Sequence, residues 1–219
     1  MTYSIRMDTR FKSSVERTPR VLEVAEAFGL GLSDKDFVVF DNLEFEVEPS
    51  DVIYITGQSG SGKSLLLRGI EQQLRDTHQL SVANIDAVEL DSEKPLIDQL
   101  GKTAREAMYF MNLAGLTDAY LWLRKPGELS DGQKYRLRIA KLMESGTQVW
   151  IADEFGAILD RTTAKVIAFD LQKLARDRGV IAAVATTHTD LKEDLHPSLI
   201  FEKYYRERLH VSRPEINHP

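Results

Sequence analysis

Gly57-Gln58-Ser59-Gly60-Ser61-Gly62-Lys63-Ser64 satisfies every fixed position of the pattern G-x-x-x-x-G-K-[ST]. Its flanks complete the reading. Val52, Ile53, Tyr54 and Ile55 form a short apolar run between Pro49-Ser50-Asp51 and Gly57, the pattern of a buried strand. Leu65, Leu66, Leu67 and Ile70, with Arg68 and Glu71 between them, predict a helix after Lys63. Strand, glycine loop and helix together make a phosphate cradle. Glycines let the backbone curl so that successive N–H groups face phosphate oxygens, and the helix adds its unpaired first N–H groups and positive dipole end. Lys63 is the cation for the β- and γ-phosphates, and the Ser64 hydroxyl is a Mg²⁺ ligand. The candidate nucleotide-binding set is therefore Gly57, Gln58, Ser59, Gly60, Ser61, Gly62, Lys63 and Ser64, with Leu65 behind them.

The whole chain narrows the class. Its 219 residues suit one domain, or one with a subdomain, and 42% hydrophobic with 28% charged residues is an ordinary soluble composition. No apolar run approaches the ~20 residues that span a bilayer, and no apolar signal segment opens the chain. There is no cysteine, hence no disulfide, thiolate metal site or cysteine nucleophile, and a cytoplasmic location is expected. The net charge of -6 excludes a uniformly basic protein that coats nucleic acid. Charge is uneven, however. Residues 1–20 carry Arg6, Arg10, Lys12, Arg17 and Arg20 against Asp8 and Glu16, so a basic extension over residues 1–19 precedes an acidic body. Such a segment is either a solvated stretch or a contact for nucleic acid or an acidic partner.

Apolar strands alternate with helical patterns, which predicts an α/β fold with a mostly parallel sheet. Thr2 to Met7 alternates as a strand does. Thr18-Pro19 predicts a capped helix carrying Val21, Leu22, Ala25 and Phe28 up to Gly29, with a strand over 20–25 as the competing reading. Phe37–Val47 reads as one or two strands around Asp41-Asn42, and Val82–Leu90 as another. Residues 94–128 are mostly helical in pattern, with Thr103 capping one helix that Gly115 ends, and Lys125-Pro126-Gly127 a break. Ser130 opens a long helix through Met143, Thr162–Arg178 is a further helix, and Val180–Thr186 is a buried strand. A strand pair at Leu199–Phe201 and Arg208–Val211 closes the chain.

Val149-Trp150-Ile151-Ala152-Asp153-Glu154 places two carboxylates at the C-terminal end of a buried strand, the edge where open α/β sheets bind ligands. Asp153 is the expected Mg²⁺ partner opposite Ser64, and Glu154 the expected general base for the attacking water.

Leu129-Ser130-Asp131-Gly132-Gln133 before a helix resembles the Leu-Ser-Gly-Gly-Gln signature of the ABC ATPase family, with Asp131 in place of the first glycine. The order of motifs agrees: phosphate loop, signature, carboxylate pair, Asp160, His188. Phe155-Gly156-Ala157-Ile158-Leu159-Asp160 has the spacing of the family's D-loop, and His188 follows a buried strand as the family's switch histidine does. The resemblance covers roughly residues 20–210. It implies a P-loop NTPase of ABC type, with an antiparallel β part and a small helical subdomain about residues 93–145. It further implies ATP and Mg²⁺ as cofactors, ATP hydrolysis, and a head-to-tail homodimer. Lys63, Glu154 and His188 would act on one ATP, while Ser130, Gly132 and Gln133 of the other subunit, with Asp160, would complete its site. Two family positions fit less well. The glutamine that contacts Mg²⁺ should end the strand near Leu90, where Gln99 is the nearest candidate. The aromatic that stacks on adenine should precede the loop, and Phe28 is the candidate.

Only 64 residues separate Ser64 from Leu129. This is short for a transporter subunit, and the Gly115–Gln133 and Ala152–Asp160 runs are similar to a soluble branch of archaeal, bacterial and phage ABC ATPases, some fused to a GNAT-type acetyltransferase domain. The expected function is a nucleotide-gated switch working with a partner protein, such as an acetyltransferase or a nucleic-acid-modifying enzyme. The nucleotide-binding subunit of a membrane transporter is the alternative. A DNA-repair head fits less well, because no long heptad segment interrupts the chain.

Overall fold

The computed structural model describes residues 1–32, 35–204 and 209–214. In chain order the elements are β1 (Tyr3–Ser13), α1 (Pro19–Phe28), β2 (Lys35–Val47), β3 (Val52–Gly57), α2 (Lys63–Gln72) and β4 (Val82–Asn84). Then follow α3 (Ala104–Leu113), α4 (Ala119–Trp122), α5 (Asp131–Glu144), β5 (Val149–Ala152), α6 (Arg161–Arg178), β6 (Ile181–Thr186), α7 (Lys192–Leu195), β7 (Leu199–Lys203) and β8 (His210–Ser212).

The chain forms two units, Ser4–Phe45 and the remainder from Glu46 with Met1–Tyr3. In the larger unit a six-stranded sheet runs β4-β5-β6-β3-β7-β8. Its first five strands are parallel, and β8 is antiparallel to β7, with Phe201 opposite Val211. Strands β3, β5 and β6 are buried throughout their length. That is why they read as unbroken apolar runs: helices cover both faces of a parallel sheet. The expected start of the last strand at Arg208 lies outside the described residues.

Local signals explain most helix ends. The Thr18 hydroxyl accepts from the Val21 N–H, Pro19 stands first in α1, and Gly29 closes it at φ 61°. The helix reading of this stretch therefore holds, and the strand reading over 20–25 does not. Thr103 and Asp160 cap α3 and α6 in the same way, each cap contributing ~1 kcal/mol. Two expectations are corrected. The strand expected over Val82–Leu90 stops at Asn84, whose side chain accepts from the Asp86 N–H and turns the chain into a short 3₁₀ segment, Ile85–Ala87. Residues 94–128 contain only the ten residues of α3 and the four of α4 as α-helix. Pro95, Pro126 and the left-handed Gly101 and Gly115 interrupt the rest.

In the unit Ser4–Phe45, β1 and β2 pair as a two-stranded sheet. The basic first residues are largely built into it. Arg6 pairs with Glu44 at 2.8 Å, and Arg10 with Asp8 at 3.1 Å and Asp41 at 3.0 Å. Val15, Val21, Val24, Ala25, Leu30 and Leu32, with Arg20, line an apolar groove of about 500 Å³.

Candidate nucleotide site

Parallel order puts the ends of β3, β5 and β6 side by side at one edge of the sheet. The loop after β3 is built on three left-handed glycines, Gly57 at φ 140°, Gly60 at 72° and Gly62 at 101°. Gly57 has a second reason to lack a side chain: a Cβ there would drive into the Lys203 carbonyl of β7. Gly62 then occupies the N-cap of α2 with no side-chain cap, which leaves the first N–H groups of that helix for a ligand.

A cavity of about 480 Å³ opens over this edge, within the size range of small-molecule sites. Ser59, Gly60, Gly62, Lys63, Ser64 and Leu65 line it from the loop, and Asp153 and Glu154 from the end of β5. Thr186 and Thr187 line it from the end of β6. Lys63 donates to the Gly57 and Gln58 carbonyls at 2.9 and 2.7 Å. Burial pulls its pKa below the ordinary lysine value, while the Asp153 and Glu154 carboxylates act the other way. The cavity therefore brings the Lys63 cation, the Ser64 hydroxyl and the Asp153 and Glu154 carboxylates around the glycine loop. This donor set fits a magnesium nucleotide. Mg²⁺ takes one or two protein oxygens and completes its shell with phosphates and water. Ser64 and Asp153 supply that number, and no cluster of three metal-ligating side chains occurs among the described residues.

The turn after β5 is held differently. Asp153 accepts from the Glu154 N–H at 2.9 Å. Glu154 itself sits at φ 47°, an unusual conformation for a residue with a side chain. The Phe155 N–H donates to the Ala185 carbonyl at 2.8 Å, and the Gly156 N–H to the Tyr135 hydroxyl at 3.1 Å.

The other candidate residues distribute as follows. Gln58 and Ser61 belong to the loop but do not line the cavity. His188 is half-buried two residues beyond β6. Its N–H donates to the Thr186 hydroxyl at 3.1 Å, and its carbonyl accepts from the buried Tyr54 hydroxyl. Its side chain does not line the cavity. Asp160 is engaged as the N-cap of α6, and the Thr163 hydrogen bond holds its carboxyl below the usual range. Ser130 and Gln133 form a reciprocal capping box at the start of α5: Gln133 N–H to Ser130 Oγ at 3.3 Å, Ser130 N–H to Gln133 Oε1 at 3.0 Å. A Cβ on Gly132 would touch the Ile158 carbonyl at 3.6 Å, so the signature lies against the D-loop. Asp131 is exposed and 3.8 Å from Lys134. Gln99 is not at the sheet edge with the others. Its amide is spent on Asp91 N–H, Asp91 carbonyl and Lys94 carbonyl at 2.9–3.0 Å, closing a turn. Phe28 ends α1 in the unit Ser4–Phe45, with 76% of its surface exposed.

Three contributors were not singled out from sequence. Arg68 lines the cavity one helical turn after Ser64, a spacing that i,i+4 geometry makes legible. Tyr54 and Tyr135 act through hydroxyls whose partners lie 134 and 21 residues away, and no local pattern signals that.

Residues 40–101 match the family described as ABC transporter. The cytochrome c biogenesis ATP-binding export protein CcmA of Agrobacterium fabrum is 30% identical over 191 residues, which cover 73% of this chain and 87% of that protein. The chain belongs to the ABC ATPase family. As such it binds ATP with Mg²⁺ and is an ATP hydrolase. The alpha-hemolysin translocation ATP-binding protein HlyB of Escherichia coli is also 30% identical, over 176 residues and 66% of this chain, and here the chain spans a quarter of that relative's length. The ATP-binding cassette MJ0796, solved as a dimer in a post-hydrolysis state with ADP and Pi, superposes with a TM-score of 0.66 at 17% identity over 98% of this chain and 100% of that one. The cassette fold is thereby shared. No helix among the described residues is long and apolar enough to cross a membrane.

Proposed function

We propose that this ABC ATPase works as a head-to-tail homodimer with two composite sites. In each, the phosphate loop, Ser64, Asp153, Glu154 and His188 of one protomer face Ser130 and Gly132 of the other. One observation carries this reading: Ser130 and Asp131 are exposed, and no signature residue lines the cavity of its own chain. The exposed N-terminus of α5 keeps its dipole, and its capping box engages the Ser130 and Gln133 N–H groups but not those of Asp131 and Gly132, so it is an anion-facing group that needs a second chain to meet a phosphate.

Bound Mg²⁺ neutralises charge on the phosphates. Around it, Lys63 and the N–H groups of the loop and α2 hold the β- and γ-phosphates, and Ser64 and Asp153 hold the ion. Glu154 orients the attacking water and takes its proton. His188 and the partner's Ser130 stabilise the charge that gathers on the γ-phosphoryl oxygens.

Closure of the dimer is transmitted to a separate partner protein. Only 64 residues lie between Ser64 and Leu129, and this short insertion supports a soluble partner such as an acetyltransferase or nucleic-acid-modifying enzyme. The similarity to CcmA, an ATP-binding export protein, supports the second reading, a subunit of a membrane transporter.

The Glu154→Gln variant tests the composite site. It is expected to bind ATP, stall before hydrolysis and elute as a dimer in size-exclusion chromatography with light scattering. Ser130→Arg is expected to bind ATP yet remain monomeric and inactive. A Glu154→Gln protein that is monomeric at saturating ATP, beside a Ser130→Arg protein with normal turnover, overturns the proposal.

A further inference from the structure

Three successive N–H groups after β5 are each fixed by a different part of the larger unit. Glu154 N–H is held by the preceding side chain, Asp153. Phe155 N–H is held by the end of β6. Gly156 N–H is held by Tyr135, which lies on α5 five residues after Ser130. Gly156 is left-handed at φ 74°, as glycine readily is, but Glu154 is left-handed at 47° against the preference of its own side chain. Phe155 between them is fully buried and cannot swing out to relieve it.

Resting on the composite-site reading above, we infer that Tyr135 is a positioning residue that sets the placement of Glu154 in its own chain. Through it, the helix whose N-terminus meets the partner's nucleotide is tied to the base of the other site. The bond is buried, so removing its acceptor strands the Gly156 N–H away from water rather than exchanging one partner for another. The phenol is an unionised acceptor there. Burial raises its pKa, and the Asp86, Asp153 and Glu154 charges push the same way, against the Gly156 hydrogen bond.

Tyr135→Phe keeps the ring in its packed place and deletes only the hydroxyl. The expected result is a kcat about fivefold lower, the effect of one buried hydrogen bond, with KM for ATP unchanged. The ATP-driven dimer of the Tyr135→Phe, Glu154→Gln double variant should match that of Glu154→Gln alone. A normal kcat, or a loss carried by KM and by weaker dimerisation, overturns the inference. Mixed dimers then ask which site Tyr135 serves. In a mixture of Lys63→Ala and Ser130→Arg chains, the one intact site uses the Glu154 of the Ser130→Arg chain and the Ser130 of the Lys63→Ala chain. Adding Tyr135→Phe to the Ser130→Arg chain should lower the restored phosphate release about fivefold. Adding it to the Lys63→Ala chain should leave that rate unchanged. The reverse pattern overturns the inference. If the parent mixture restores no activity, the composite-site reading loses its support, and the single-variant kcat and KM still decide the role of Tyr135.

Discussion

Two turns leave the same edge of the sheet, one after β3 and one after β5, separated only by β6. Both need left-handed residues. The first places them all on glycine and runs directly into its own helix, α2. Its shape follows from its own residues. The second places one on Glu154, where a side chain in that conformation costs about 1 kcal/mol. It is held by Asp153, Ala185 and Tyr135. The binding half of the site is thus encoded locally, and the half that handles the water is encoded by the fold. The ligand half takes its turn from its own glycines; the catalytic half inherits the position of whatever grips it.

The first way to break this contrast is at Gly57. Alanine there meets both a left-handed backbone and the Lys203 carbonyl. We expect Gly57→Ala to lose about 3 kcal/mol of stability or more, from overpacking against backbone that cannot move aside. For a chain of this size that lowers the melting temperature by roughly 9 °C. A calorimetric scan measures it, and a melting point within 2 °C of the parent would show that the loop is less constrained than β7 implies. The next effect in size is at Lys63. Lys63→Ala removes the cation that lines the loop while leaving the glycine turns in place. ATP affinity should fall about a hundredfold, as for a lost charge-assisted contact, with little change in melting temperature. Titration calorimetry reads both binding and its loss.

The same contrast explains what was legible in the chain. The phosphate loop is a local device, and its residues, its strand and its helix are all written in one consecutive stretch, Val52–Gln72. The caps at Thr18, Thr103 and Ser130 are equally local, and each opens its helix where the sequence places it, whereas Asp160, read only as a D-loop residue, caps α6, which opens at Arg161, one residue ahead of the expected Thr162 start. The Val82–Leu90 stretch reads as one strand because apolar residues continue past Asn84, while the Asn84 side chain ends the strand by accepting from the Asp86 N–H. Gln99 is a candidate because the resemblance asks for a glutamine near Leu90 and Gln99 is the nearest one downstream. Its three hydrogen bonds to Asp91 and Lys94 depend on how the segment folds back, which spacing does not report. Tyr135 is illegible for the same reason: its partner Gly156 lies 21 residues further along the chain, beyond β5.

The smallest expected effect is the sharpest test of the second turn. If Glu154 is held in a left-handed conformation by its surroundings, glycine at that position should be comfortable where glutamate is not. Glu154→Gly should then raise stability by about 1 kcal/mol, or roughly 3 °C in melting temperature, while abolishing turnover. Glu154→Gln controls for charge. It has the same backbone cost as glutamate, so it should melt with the parent and be equally inactive. The pair separates two reasons a substitution here could stabilise: relief of the backbone, seen only with glycine, and removal of a carboxylate beside Asp153, seen with both. Equal melting points for Glu154→Gly and Glu154→Gln would mean that the turn costs nothing to hold. The tertiary grip by Asp153, Ala185 and Tyr135 would then be packing without strain. A gain confined to glycine would mean that the fold maintains an unfavourable backbone at the one residue that must meet the water.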